Sequence, residues 1–372
     1  MRLWLCSILV FGLCACTKAS TGVAEVPPSA GDAMPTPAVK AAPAAPGGPA
    51  AAVPLQLTAR SFPLPGATGP VAVDYLVCDR ARSRVWVPVG DTGSADVFDE
   101  ATAAFTVVGG FATEEREARG KKRWAGPSAA TVGDGFVYIG NRATSEVCAI
   151  EDKTLKVTNC LKLPTSTDGV AYVASSREVW VTTPRDHSLT VLDASKGDSP
   201  KPKLVIRTDG DPEGYALDSA RGVFYTNLED KDRTLAIDVR THAVKATWSA
   251  SCGPNGPRGI AVDEARNFVM VACTDGVRVL DAAHDGTLLG VLDTGLGVDN
   301  IDYGSTEKLL VVAAGKAARL TVARLSDLGE PVILALGVTA EGARNAVMDA
   351  NGNVYVVDPG TARLLTFADP LH

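Results

Sequence analysis

The chain has 372 residues, 21% of them charged, with a formal net charge of −7 and a pI near 5.3. That balance, with no basic stripe, excludes a general nucleic-acid surface. No apolar run, that of the first residues included, is long enough to cross a bilayer as a helix.

Met1 and Arg2 precede an apolar run from Leu3 to Leu13 that ends in Leu13-Cys14-Ala15-Cys16. A charged start, a short apolar stretch and small residues before a cysteine read as a signal peptide over 1–15, with the Cys16 thiol as the lipidated first residue of the mature chain. Thr17, rather than an acidic residue, fits sorting to the outer membrane, facing periplasm or cell surface. Residues 16–54 are mostly Ala, Pro, Gly and small polar residues, a composition that cannot bury enough apolar surface to offset its ordering entropy. They read as a semi-extended tether, so the lipid anchor is the expected membrane contact.

Residues 55–372 could hold one large β domain or two smaller ones, and an internal repeat favours one. Seven copies of an apolar-Ala-apolar-Asp segment precede a β-rich run. They begin with VAVD (Val71 to Asp74) before VWVPV, SAAT before VYIGN and GVAYV before VWVTT. They continue with YALD before VFYTN, IAVD before FVMVAC, NIDYG before LLVVAAG and NAVMD before VYVVD. Later copies recur every 41 to 45 residues, a length that holds four short strands and matches propeller blades. The period-two alternation makes them strands packed between blades. Trp86, Trp180, Tyr138, Tyr225 and Tyr355 are expected in the core, and Asp99, Asp193, Asp238 and Asp281 are expected to accept backbone bonds in hairpins. The last copy lacks a fourth strand, while Leu55 to Leu64 is an unclaimed strand-like segment. Pairing that segment into the last blade would close an all-β, seven-bladed propeller and remove its exposed edges. A monomer is expected.

The runs VYIGN, VFYTN and VYVVD, with LTVLD, LAIDV and VRVLD after their loops, resemble the YVTN (YncE-like) β-propeller repeat family. The resemblance covers about 55 to 370 and implies a seven-bladed propeller exported to the periplasm or surface. It implies no reaction, since propellers host unrelated functions. FVMVAC and LLVVAAG depart from the pattern by lacking the aromatic residue and the Asn.

Five cysteines fall in the repeat region. Cys148 and Cys160 flank a hairpin turn, and Cys252 and Cys273 fall on one face of the fifth blade, so disulfides Cys148–Cys160 and Cys252–Cys273 are expected, with Cys78 free and buried. No CxxC or HxxxH spacing suggests zinc. CxxCH, GxSxG and phosphate-binding glycine loops are absent, and Asp349 to Asn353 reads as a hairpin turn because Gly360 stands where an EF-hand needs Glu.

Aligned copies place Asp168, Glu213, Arg258, Asp299 and Arg344 at one position around the channel mouth, with Asn300 and Asn345 beside two of them. Three readings compete: an internal ion-pair network, an anionic ligand held by the arginines, and a divalent metal such as calcium on Asp168, Glu213 and Asp299, as in gluconolactonase-type propellers. The expected function is a binding or scaffold module, without a cofactor, for a protein or small anionic ligand at this face. The alternative is a metal-dependent, lactonase-like hydrolase. The long first spacing, with the charged insertion between Phe111 and Trp124, should emerge on the same face as a solvated loop, a mobile lid or a partner contact.

Overall fold

In a computed structural model the chain divides into two units, residues 1–51 and 52–372. The structure describes residues 53–118 and 121–371. The segments expected to be the signal peptide, the lipidated Cys16 and the tether through residue 52 lie outside the described residues.

Six four-stranded antiparallel sheets and one five-stranded sheet, whose fifth strand is parallel, follow one another around the described chain. Their innermost strands are Val77–Asp79, Pro127–Val132, Val170–Val173, Pro212–Asp218, Pro257–Asp263, Val298–Gly304 and Ala346–Met348. Each touches the next and the last touches the first, so the sheets form a closed seven-bladed β-propeller. Among the described residues no helix is long and apolar enough to cross a membrane.

The alternating apolar residues bury both faces of each blade, so the hydrophobic core is a set of interblade layers rather than one central mass. Trp86, Trp180, Tyr138, Tyr225 and Tyr355 are all in those layers. Glu178, itself buried, accepts hydrogen bonds from Trp180 Nε1 at 2.8 Å, Lys203 Nζ at 2.5 Å and His242 Nε2 at 3.1 Å. Burial opposes its ionisation, yet these donors hold the carboxyl below its usual range. The hairpin aspartates accept as expected: Asp99 from Thr102 N, Asp193 from Ser195 N, Asp238 from Thr241 N and Asp281 from Ala283 N, all at 2.8 to 2.9 Å. Asp349 does the same for Asn351 N and Asn353 N.

Two expectations need correction. The first copy does not begin at Val71 to Asp74: the innermost strand of blade 1 is Val77–Asp79. Asp79, not Asp74, stands five residues before its second strand, Arg84–Val89, as Asp218 stands before Val223–Leu228. The N-terminal segment is also shared between two blades. Ala59–Pro63 pairs antiparallel with Arg363–Phe367 and completes blade 7. Leu55–Leu57 instead pairs parallel with the outer strand of blade 6, Pro331–Val338. Leu57 and Ala59 pack against the layer between these blades, beside Phe367, so one continuous segment covers two adjacent edges.

Disulfides join Cys148 to Cys160 and Cys252 to Cys273. Cys148 and Cys160 are directly opposite in neighbouring strands. Cys78 is free but only half-buried, on the wall of the axial channel.

Candidate functional site at the channel mouth

The segments leading into the innermost strands, with the turns between second and third strands, make one end of the propeller axis. Corrected register places Asp74 at the position held by Asp168, Glu213, Arg258, Asp299 and Arg344 in other blades. Blade 2 has Pro127 there and supplies charge from its next turn through Arg142. Close approach of these segments needs residues without side chains: a Cβ on Gly214 would lie 2.4 Å from the Arg258 carbonyl oxygen.

The arginines of the mouth are bound by carboxylates of the ring and of a neighbouring turn. Arg142 bridges Asp74 and Asp168. Arg344 reaches Asp299 from Nε at 3.0 Å and Asp74 from Nη2 at 3.3 Å. Arg258 pairs with Glu229, from the turn between the second and third strands of blade 4. Glu213 has no basic partner among the described residues. Burial and the charges of Asp168, Asp299, Asp74 and Glu229 push its carboxyl well above the usual range. Burial likewise pushes Asp299 up to about 6, against the pull of Arg344. Burial would lower the Arg142 guanidinium, but Asp168 and Asp74 outweigh it and hold the group charged.

Asn300 and Asn345 belong to a different level. Both line the channel beneath the ring, where Asn300 N donates to Asn345 Oδ1 at 3.2 Å and Asn345 Nδ2 donates to the Asp74 carbonyl. Tyr75 crosses the axis here, stacked on Tyr215 with centroids 5.6 Å apart. The carboxylate oxygens of Asp168, Glu213 and Asp299 do not all come within 4.8 Å of one another. The one such cluster among the described residues is Glu146 with Cys148 and Cys160, whose sulfurs are bonded to each other. Two of the three proposed ligands are also engaged by arginine, so the donors fit a divalent ion poorly.

The insertion is a β-hairpin, Glu114–Ala118 with Lys121–Ala125, rather than an irregular loop. Arg116 fastens it by pairing with Glu114 at 2.7 Å and donating to the Ala143 carbonyl at 3.1 Å, while Asn141 Nδ2 holds the Ala112 carbonyl at 3.1 Å. Between hairpin and ring lies a cleft of about 550 Å³. Lys122, Arg123, Arg142 and Arg344 line it with Asp74 and Asp91, and Trp124, 45% exposed, presents an indole. Asp91 is turned inward to accept from Ala72 N. The lining charges sum to +2, four basic against two acidic side chains. Glu213 and Glu229 lie outside this lining, so the mouth is basic beside the hairpin and acidic at blade 4. Asp74 and the cleft escape a sequence reading that starts the first copy at Val71. The five-residue interval from Asp79 to Arg84 is the signal that finds them.

The fold defines the class: an all-β, seven-bladed propeller. No protein-family model and no curated protein matches the sequence. Similar solved structures include a chain of Kuenenia stuttgartiensis hydrazine synthase, with TM-score 0.66 and 12% identity over 82% of this chain and 98% of that one. A chain of the mitotic checkpoint complex aligns with TM-score 0.67 and 11% identity over 83% and 93%. The β-propeller domain of Cps50 (Swd1) from Myceliophteria thermophila aligns with TM-score 0.60 and 10% identity over 81% and 98%. At these identities the likeness is one of fold alone.

Proposed function

We propose that this protein is an exported, lipid-anchored propeller of the YVTN-like kind that acts as a binding module, taking an anionic group at its mouth face. The observation that carries this reading is the cleft beside the hairpin, where Arg123 stands next to an exposed Trp124, flanked by Lys122, Arg142 and Arg344, which pair with Glu115, with Asp74 and Asp168, and with Asp74 and Asp299. Guanidinium groups suit carboxylate or phosphate recognition through paired donors, and Arg123 makes no ion pair among the described residues. The propellers of the mitotic checkpoint complex and of the RRP9 WD40 repeats belong to a fold in which binding at loop faces is common, so a protein presenting an acidic group is as suitable an occupant as a small molecule.

Titration with citrate, read by tryptophan fluorescence, tests this. Saturable quenching that Arg123→Ala weakens about tenfold supports it, as one charge-assisted contact is worth about 1.5–3 kcal/mol. Quenching equal in Arg123→Ala and wild type contradicts it. Glu213, which lacks a basic partner, favours one competing reading, hydrolysis with a divalent metal on Asp168, Glu213 and Asp299. Tight calcium binding abolished by Glu213→Gln would bring that reading forward.

A further inference from the structure

A small cavity, of about 330 Å³, lies on the seam where the chain closes, between blades 7 and 1. Arg60 and Phe62, alternate residues of the closing strand Ala59–Pro63, line it from blade 7. Phe98 and Glu100, at the end of the third strand of blade 1 and in the turn after it, line it from the other side. Arg60 is directly opposite Thr366, and Thr366 directly opposite Tyr355, so the three form one row across the sheet of blade 7. The rings of Phe62 and Tyr355 both pack on Phe98, with centroids 5.0 and 6.1 Å from it, and make an aromatic floor. The turns at Ser83 and Asn351, which follow the innermost strands of blades 1 and 7, border the cavity, so it opens at the end opposite the mouth.

Two charges of opposite sign in this cavity lack a counter-charge. Glu100 is half-buried and makes no ion pair among the described residues. The carboxyl beside it is that of Asp349, which is already engaged. Asp349 Oδ1 accepts from Asn351 N and Asn353 N, each at 2.8 Å, and Oδ2 from Asn353 Nδ2 at 2.7 Å and the Tyr355 hydroxyl at 3.0 Å. Two carboxyls therefore meet with no cation between them, and burial together with the Asp349 charge pushes Glu100 up to about 7. On the opposite wall the Arg60 guanidinium lies 5.3 Å from the Phe62 ring centroid and makes no ion pair among the described residues, which leaves its fork of donors open. Arg60 and Glu100 line one cavity without pairing with each other, and their charges cancel. The aromatic floor lowers the dielectric beneath both and strengthens any pairing made above it.

We propose that this cavity binds a small zwitterion, with its ammonium at Glu100 and its carboxylate at Arg60, of the kind a free amino acid presents. A guanidinium and a carboxylate held apart suit such a ligand, because each end gains a charge-assisted contact and neither meets a like charge that is left unpaired. The site is at the other end of the propeller from the anion cleft and does not rest on it.

Calorimetric titration of the whole protein with glycine, β-alanine, γ-aminobutyrate and 6-aminohexanoate tests the proposal, at about pH 8 so that the Glu100 carboxyl is ionised. Saturable binding of one equivalent is expected, strongest for the member whose length matches the gap between the two charges. The simple amine and the simple carboxylate of that length are expected to bind at least about tenfold more weakly, the loss of one charge-assisted contact. Glu100→Gln should weaken the zwitterion by a similar factor and erase its advantage over the simple carboxylate. Arg60→Gln should weaken it likewise and erase its advantage over the simple amine. Circular dichroism confirms that each variant is folded, and either variant alone suffices if the other is not. Absence of saturable binding across the series, equal affinity for the amine or the carboxylate in wild type, or wild-type affinity in a folded variant overturns the proposal.

Discussion

Removing the Asp74 carboxylate leaves Arg142 and Arg344 without the anion they share. Breaking a buried pair costs about 3–5 kcal/mol, and the partial exposure of both arginines brings the expected loss for Asp74→Ala to about 2–3 kcal/mol, measurable by urea unfolding. An unchanged midpoint would show that the ring does not hold the mouth together. Burial also sets a pH dependence. Desolvation pushes Asp96 and Asp299 up to about 6 and Glu100 up to about 7. Their folded values exceed the unfolded ones, so their contribution is fully present below about pH 4 and is lost as pH rises through 6 to 7. Asp96→Asn should therefore stabilise the protein at pH 8, by up to about 3 kcal/mol at about 1.4 kcal/mol per pH unit, and have no effect below pH 4. Equal effects at both pH values would contradict the buried-carboxyl account. Five of the ring charges were legible because repeat alignment stacks equivalent positions. Asp74 was not, because Val71 to Asp74 imitates the strand motif five residues early, and Arg142 reaches the ring from a different turn. That Glu213 lacks a partner depends on which arginine each carboxylate takes, which spacing does not encode.

At the scale of elements, closure rests on Ala59–Pro63, whose Phe62 meets Phe98 with ring centroids 5.0 Å apart. Deleting residues 55–63 uncovers the outer edges of blades 6 and 7 together, and concentration-dependent association in sedimentation is the expected result. A stable monomer after that deletion would contradict this role. The need for a closing strand was visible in the incomplete last copy. Its division between a parallel and an antiparallel edge was not, because pairing direction depends on where neighbouring blades lie. The insertion likewise gave charge without the alternating apolar pattern of a strand. It forms a hairpin through backbone pairing and anchors such as Arg116. The disulfides close loops 12 and 21 residues apart. Replacing Cys252 and Cys273 together by Ala should cost about 3 kcal/mol on the chain-entropy view, read as a lower unfolding midpoint, with the Cys148 and Cys160 pair slightly less. An equal midpoint for the four-cysteine variant and wild type would show that neither bridge constrains the chain.

Over the whole molecule, the propeller separates two environments along one axis. The mouth carries an ion-paired ring with a basic cleft beside the hairpin, and the opposite side opens on an axial chamber of mixed lining, with Arg80, Glu264 and Asp302 toward its rim. The period of the sequence made the seven blades legible, since each copy must bury its strands against the next. The two-sided axis was not, since it arises from Tyr75 crossing the channel between blades far apart in sequence. The proposed function stands or falls with anion binding at the mouth. The most direct measurement is the melting temperature of the purified protein with citrate, with EDTA and with calcium. A ligand bound only by the folded state raises the melting temperature as its concentration passes the dissociation constant. Anion binding at the mouth predicts a rise with citrate that Arg123→Ala reduces, and indifference to EDTA. A melting temperature that ignores citrate but falls with EDTA and recovers with calcium would contradict it.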